Sequence, residues 1–232
     1  MGTVVIRSEP NYYSTMKIIT IIDQIVDHIR SAIFSGKFIP GSKLKEKEIS
    51  DWLGVSRMPV REAFRILEAQ GLIEIEPNKG AKVSRISRED LEEIYEARVL
   101  LEVYCLRKFV KLLNDQHLAV MNDICNKMEV AIDQKDPLAY FDHSFNFHKY
   151  YISHCQNKVL ESVFLRMENS IRCLQFNLDK KPEFYRKSLK DHRQILKALQ
   201  VKGADDCEKL IRRHLESGYK SNKKIVTQLQ KA

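Results

Sequence analysis

The segment around Gly54 constrains the fold more than any other part of this 232-residue chain. Gly54 stands between two predicted helices, at a turn position that favours a residue able to adopt a positive φ. Ser56 is a candidate N-cap, and Pro59 falls in the next helical turn, where its missing N–H costs little. Residues 43–83 therefore predict a helix, a tight turn, a second helix and a two-stranded wing.

The second of these helices has an apolar face and a basic stripe. Apolar residues recur at helical spacing and predict its buried face: Val60, Ala63, Phe64 and Leu67. Arg57, Arg61 and Arg65, each four residues apart, form a stripe beside that face, as a recognition helix requires. Such a stripe is usually only solvated. The hairpin that follows favours DNA binding instead, because Lys79 and Gly80 at its tip can approach a phosphate or the minor groove.

Over residues 20–84 the chain closely resembles the GntR family of bacterial transcription regulators. The resemblance is carried by G-x-x-x-P-G-x-x-L at 36–44, G-V-S-R-x-P-V-R-E-A at 54–63, and the wing residues at 71–73 and 80–83. Met58 stands where the family more often has Thr, and it cannot donate a hydrogen bond to DNA. With the arginine stripe, the resemblance implies DNA contacts by Lys47, Ser56, Arg57, Met58, Pro59, Arg61, Arg65, Asn78, Lys79 and Gly80.

Composition limits the class of protein without locating a site. The net charge is +8, but residues 18–85 hold 11 Lys/Arg against 9 Asp/Glu, so the excess charge does not locate a polyanion-binding surface. No apolar run approaches the roughly 20 residues of a membrane span, and residues 1–13 lack the features of a signal peptide. Five widely spaced cysteines without a C-x-x-C motif are typical of a reduced, cytoplasmic protein.

The pattern along the chain predicts a mainly α protein. Residues 1–17 form a polar N-terminal arm, and residues 18–85 the winged helix-turn-helix domain. From residue 86 to 232 helical periodicity continues through six segments with no strand signal, which predicts an all-α antiparallel helical bundle.

Three histidines lie in the middle of different predicted helices of this bundle: His148, His192 and His214. A lone helical histidine is more often an ordinary polar or core residue, although imidazoles from facing helices can converge on one ion. The segment from Glu93 to Leu215 resembles the FCD effector domain of the FadR subfamily.

That resemblance implies a divalent metal, Zn²⁺ or Ni²⁺, on His148, His192 and His214. The family's Asp position falls on Ser144, so the metal loses its carboxylate ligand. Arg98 occupies the family's Arg position one turn before Glu102; it either forms an i, i+4 ion pair or clamps an effector carboxylate.

These features predict a regulator and not an enzyme. We expect a homodimer that binds a pseudo-palindromic double-stranded DNA operator, with affinity modulated by a small-molecule effector, an organic acid. One alternative is the same regulator without metal, its histidines lining an organic-acid or acyl-ligand pocket. A more remote alternative is a helical metalloenzyme, but no carboxylate stands at a convincing general-base position beside the histidines.

Overall fold

The computed structural model describes residues 19–76, 79–175 and 182–229. The predicted arm at 1–17 therefore lies outside the described residues. Within those ranges the chain forms nine helices and three short strands, in this order: α1 (Ile21–Phe34), β1 (Lys43–Leu44), α2 (Glu46–Leu53), α3 (Arg57–Ala69), β2 (Ile73–Glu76), β3 (Gly80–Val83), α4 (Arg88–Leu112), α5 (Asp115–Asp133), α6 (Pro137–Ser153), α7 (Lys158–Gln175), α8 (Pro182–Gln200) and α9 (Ala204–Leu229). The mainly α prediction is confirmed.

The first three helices and the sheet share one apolar core. The four predicted apolar residues of α3 are all buried there, packed against α1 and the sheet. The predicted two-stranded wing forms from β2 and β3, and Lys43 and Leu44 add an unpredicted third strand, which gives the order β1-β3-β2. So short a strand has no periodicity to detect, and it forms only because β3 offers a free edge.

The turn between α2 and α3 forms as the sequence predicts. Gly54 ends α2 in the left-handed region, with φ of 67°. Ser56 occupies the N-cap position of α3 with extended backbone, but its hydroxyl makes no capping hydrogen bond. That hydroxyl is therefore available to an external acceptor at the exposed start of α3.

The second domain is an antiparallel helical bundle. Helix α4 begins at a capping box formed by Ser87 and Asp90 and packs along α9, while α5 packs against α6 and α8. Among the described helices, none combines the length and hydrophobicity that a membrane span requires.

Helix α7 joins the bundle to the first domain. Cys173 is buried among the apolar residues of the winged domain. The Asn169 Nδ2 atom donates to the carbonyl of Gln70, directly after α3, at 3.2 Å. The Arg172 guanidinium lies 4.2 Å from the centre of the Phe34 ring. The helix that lines the bundle core therefore also contacts the C-terminal end of the recognition helix.

Two glycines with positive φ differ in their surroundings and so provide a matched test of the wing. At Gly80 (φ 95°) an added Cβ would lie 2.6 Å from the Leu44 carbonyl oxygen, whereas at Gly54 it would meet nothing within 4 Å. We expect Gly54→Ala to cost about 1 kcal/mol of unfolding free energy for backbone strain alone. Gly80→Ala should cost more than about 2 kcal/mol, because a clash with β1 is added. Equal costs in urea unfolding would contradict this account of the β1–β3 contact.

Candidate metal site and DNA-binding face

The three predicted histidines meet in the interior of the bundle, one each from α6, α8 and α9. The Nε2 atom of His148 lies 3.3 Å from Nε2 of His192 and 3.2 Å from Nε2 of His214. His148 and His192 are buried, and candidate ligand atoms of all three rings lie within 4.8 Å of one another. The bundle therefore turns one nitrogen of each ring toward a common point.

Hydrogen bonds on the far side of the rings fix this orientation. The Nδ1 atom of His148 lies 2.7 Å from Oε2 of Glu102, and Nδ1 of His192 lies 2.8 Å from the Ser188 carbonyl oxygen. Since both partners are acceptors, both Nδ1 atoms carry the proton and both Nε2 atoms carry a lone pair. Converging lone pairs with no proton between them are the donor set of a metal site.

Burial favours the neutral form of His192 and of His214. It lowers the pKa of His192 well below its usual range, with the charges of the neighbouring His214 and His148 acting in the same direction. Burial also lowers the pKa of His214, although Asp191, whose Oδ2 lies 3.9 Å from Nδ1 of His214, opposes the shift. Neutral imidazoles are the form that binds a cation, so these pKa shifts favour metal binding at neutral pH.

The sequence predicted Glu102 only as the partner of Arg98. In the structure its carboxylate contacts two further side chains as well. Its fully buried carboxylate contacts Arg98 Nε at 2.7 Å, the Tyr151 hydroxyl at 2.5 Å and His148. Burial would raise the pKa of Glu102, but the charge of Arg98 and the hydrogen bonds from His148 and Tyr151 outweigh it and lower that pKa. The ionised carboxylate therefore orients His148 from behind.

Arg98 neither forms a solvent-exposed ion pair nor remains without a partner. Its guanidinium is only 5% exposed, and its Nη1 atom lies 3.2 Å from Oε2 of Glu168. That Glu168 oxygen is buried and accepts no hydrogen bond, so the contact is an ion pair without hydrogen-bond geometry. Two carboxylates thus balance the charge of Arg98.

A small cavity separates Arg98 from the histidines. It measures about 70 Å³ and is lined by Arg98, Ser144, His148, Glu168 and His214 among others. Ser144 lies on α6 one turn before His148 and is half-buried at this wall. The structure thus brings Arg98 and Ser144 to the same cavity as His148 and His214.

The predicted DNA-contact residues that the structure describes lie on the surface of the first domain. Lys47, Ser56, Arg57, Met58, Arg61, Arg65 and Lys79 are exposed, and Pro59 and Gly80 are half-buried. Asn78 lies outside the described residues. Arg61 is held by Glu46 of α2 through two hydrogen bonds of 2.9 and 2.8 Å, and Arg65 pairs with Glu62. Glu46, which the sequence analysis did not single out, thereby fixes the direction of the Arg61 fork.

Known proteins match both halves of the chain. The family described as "Bacterial regulatory proteins, gntR family" matches residues 21–83, and the "FCD domain" matches residues 93–217, more than half of the chain. The HTH-type transcriptional repressor RspR of Escherichia coli (strain K12) is 29% identical over 206 residues, covering 87% of this chain and 89% of that protein. The gluconate operon transcriptional repressor of Bacillus subtilis (strain 168) is 27% identical over 184 residues, covering 77% and 75%.

A solved structure agrees with the fold. E. coli McbR/YncC superposes with a TM-score of 0.79 at 20% identity, covering 92% of this chain and all of that one. The matched families and the named relatives are transcriptional regulators, which rules out the metalloenzyme alternative. The chain therefore belongs to the GntR family, in the FadR-like group that joins a winged helix-turn-helix to an FCD domain, and is a DNA-binding transcription regulator.

Proposed function

We propose that this regulator binds a pseudo-palindromic operator as a homodimer in the cytoplasm, and that a small carboxylate effector changes its operator affinity. The effector binds beside a divalent metal held by His148, His192 and His214. The convergence of three Nε2 atoms, of which those of His148 and His192 carry lone pairs, carries this proposal.

The donor set fits Zn²⁺ or Ni²⁺, since both accept imidazole nitrogen. In a tetrahedral site with Zn–N bonds of about 2.0–2.1 Å, two nitrogen ligands lie roughly 3.3 Å apart, close to both measured separations. A bound ion supplies a Lewis acid that attracts an anionic oxygen from the cavity. The metal-free alternative would leave the lone pairs facing one another without a proton.

The cavity favours a small hydroxy acid. At about 70 Å³ it is far smaller than the roughly 300–1,000 Å³ of drug-sized ligand pockets, which disfavours an acyl chain. Guanidinium N–H groups of Arg98 that do not face Glu102 or Glu168 suit a carboxylate. The Oε2 atom of Glu168, which accepts no hydrogen bond, suits a hydroxyl donor. A relative named for a gluconate operon supports the same ligand class, because gluconate is a hydroxy acid.

Helix α7 connects this cavity to the DNA-binding domain. Glu168 lines the cavity, while Asn169, the next residue, binds the carbonyl of Gln70 at the end of α3. An effector that takes hydrogen bonds from Arg98 or gives one to Glu168 changes the forces on α7. We therefore assign α7 the coupling between effector and operator affinity, which requires that the effector bind one placement of α7 more tightly.

The first prediction concerns the recognition helix. Arg61→Ala should weaken operator binding by about 1–3 kcal/mol if the fork held by Glu46 reads a base edge. The measurement is a fluorescence titration at fixed salt, using an operator selected from double-stranded DNA of randomised sequence. Arg186→Ala, an exposed arginine of the second domain that pairs with Asp133 at 3.4 Å, is the control and should bind normally. An undiminished affinity of Arg61→Ala would contradict the assignment.

The second prediction concerns the metal. Protein purified without exposure to a chelator should contain about one Zn or Ni per chain by elemental mass spectrometry. His192→Ala should lose it, whereas His28→Ala, an exposed histidine of α1, should keep it. Ser144→Asp should raise the metal affinity about tenfold or more, because it adds a carboxylate ligand from one turn before His148. Metal content that is independent of His192 would exclude the site.

The third prediction concerns the effector. Small hydroxy acids such as glycolate or lactate should change the operator affinity of the metal-loaded protein, by about 5- to 150-fold for a typical coupling. Octanoate, a carboxylate with a longer apolar chain, should have no effect because the cavity is too small. His192→Ala should bind operator but ignore the acids. A response to octanoate alone would assign an acyl pocket instead.

A further inference from the structure

We propose that the exposed face of α4 is the surface on which two copies of this chain associate, with the two α4 helices antiparallel and crossing at Leu100. This inference rests on the dimeric regulator proposed above and names the surface that would form the dimer.

One stripe of α4 faces away from the rest of the chain. Leu100 is 71% exposed and Tyr104, one turn later, is 54% exposed. Alternating steps of four and three residues from Leu100, in either direction along the helix, reach further exposed side chains, as expected for one face of a helix. The stripe comprises Glu89, Glu93, Glu96, Leu100, Tyr104, Arg107 and Lys111.

Charge along the stripe is complementary to itself in one orientation. The half before Leu100 is acidic and the half after Tyr104 is basic. An isologous antiparallel pair places each residue opposite the one equally far from Leu100 on the partner helix. Arg107 then faces Glu93 of the partner subunit, and Lys111 faces Glu89 of the partner subunit. A parallel pair would instead bring like charges together.

Several of these charges are available for such pairing. Within the described chain, no ion pair involves Glu89, Glu93, Glu96 or Lys111. Arg107 is bound to Asp205 and Glu208 of α9 at 2.8 Å each, which holds it on this face while its side chain remains 45% exposed.

Apolar surface next to the stripe extends the contact. A groove of about 470 Å³ between α4 and α9 is lined by Tyr95, Val99, Leu100, Leu215 and Tyr219. It lies at the level of Leu100, where the two helices would cross. Apolar side chains of the second copy would therefore be buried beside the central leucines, and such a core is what a stable interface requires.

The length of α4 also agrees with the antiparallel arrangement. The winged domain precedes the N-terminus of α4, and 25 helical residues span roughly 37 Å. Antiparallel helices therefore separate the two points of attachment by about the 34–36 Å between half-sites one DNA turn apart. Parallel helices would instead bring those points within about 10 Å.

The central contact is tested by sedimentation velocity over a concentration series without DNA. Leu100→Asp should weaken dimerisation by at least about 100-fold, because two buried carboxylates would meet at the axis. The matched control is Val159→Asp on α7, whose side chain is 70% exposed, and it should remain as dimeric as the unmodified chain. Both variants replace solvent-exposed apolar residues, so their thermal unfolding at the lowest concentration should be unchanged.

The orientation is tested by exchanging charges. Glu89→Lys alone and Lys111→Glu alone should each weaken the dimer about tenfold, since each places like charges together at both ends of the pair. An equimolar mixture of the two variants should associate as tightly as the unmodified chain, because every contact in the mixed pair is again between opposite charges. Structural damage could not be repaired by mixing.

Two results would overturn the proposal: an unmodified chain that is monomeric throughout the series, leaving this face to another partner, or a Leu100→Asp variant as dimeric as the control. Failure of the mixture to recover would overturn the antiparallel pairing. No operator, metal or effector enters these measurements. A chain that dimerises through α4 yet binds no DNA would support this surface and contradict the proposed function.

Discussion

The ion pair between Arg98 and Glu102 is buried on the inner face of α4, and the orientation of His148 depends on it. Neither charge can be buried alone without a large desolvation cost, so each side chain requires the other, and Glu168 completes the set. Because Glu102 remains ionised there, it accepts a hydrogen bond from Nδ1–H of His148, which turns the opposite nitrogen of that ring toward the other two histidines. The orientation of a ligand on α6 is thus set by charges on α4 and α7.

The two faces of α4 differ in character. Its buried face holds Arg98 and Glu102, while its outer face carries Leu100 and Tyr104. The capping box at Ser87 fixes where the helix begins, directly after the wing. A displacement of α4 would therefore move the residues at the cavity and those on the outer face together.

Local signals in the sequence were sufficient for most of the fold. The Gly54 turn, the apolar face of α3 and the helices of the second domain each have a periodicity or a breaker that can be read within one segment. Strand β1 was missed because two residues have no period, and their pairing with β3 is a contact between distant parts of the chain. The third strand therefore depends on tertiary structure.

The candidate site likewise has a part that the sequence predicted and a part that only the folded structure revealed. The three histidines could be named because the resemblance to a known domain placed them, not because their spacing indicates a ligand set. The contact between Glu102 and His148 joins residues 46 apart, and that between Glu46 and Arg61 joins residues 15 apart on different helices. A pattern within one segment cannot predict a contact between residues on different helices. These two contacts were therefore found only in the folded structure.

The serine at position 144 has a consequence for what this protein senses. A ligand set of three neutral imidazoles leaves the full charge of a divalent ion uncompensated by any directly coordinating carboxylate, and the ion is held less tightly. An anionic effector would then supply the missing negative charge, so each would strengthen the binding of the other by the same factor. Such a regulator would report the simultaneous presence of two scarce solutes, a metal and an acid, and would respond weakly to either one alone.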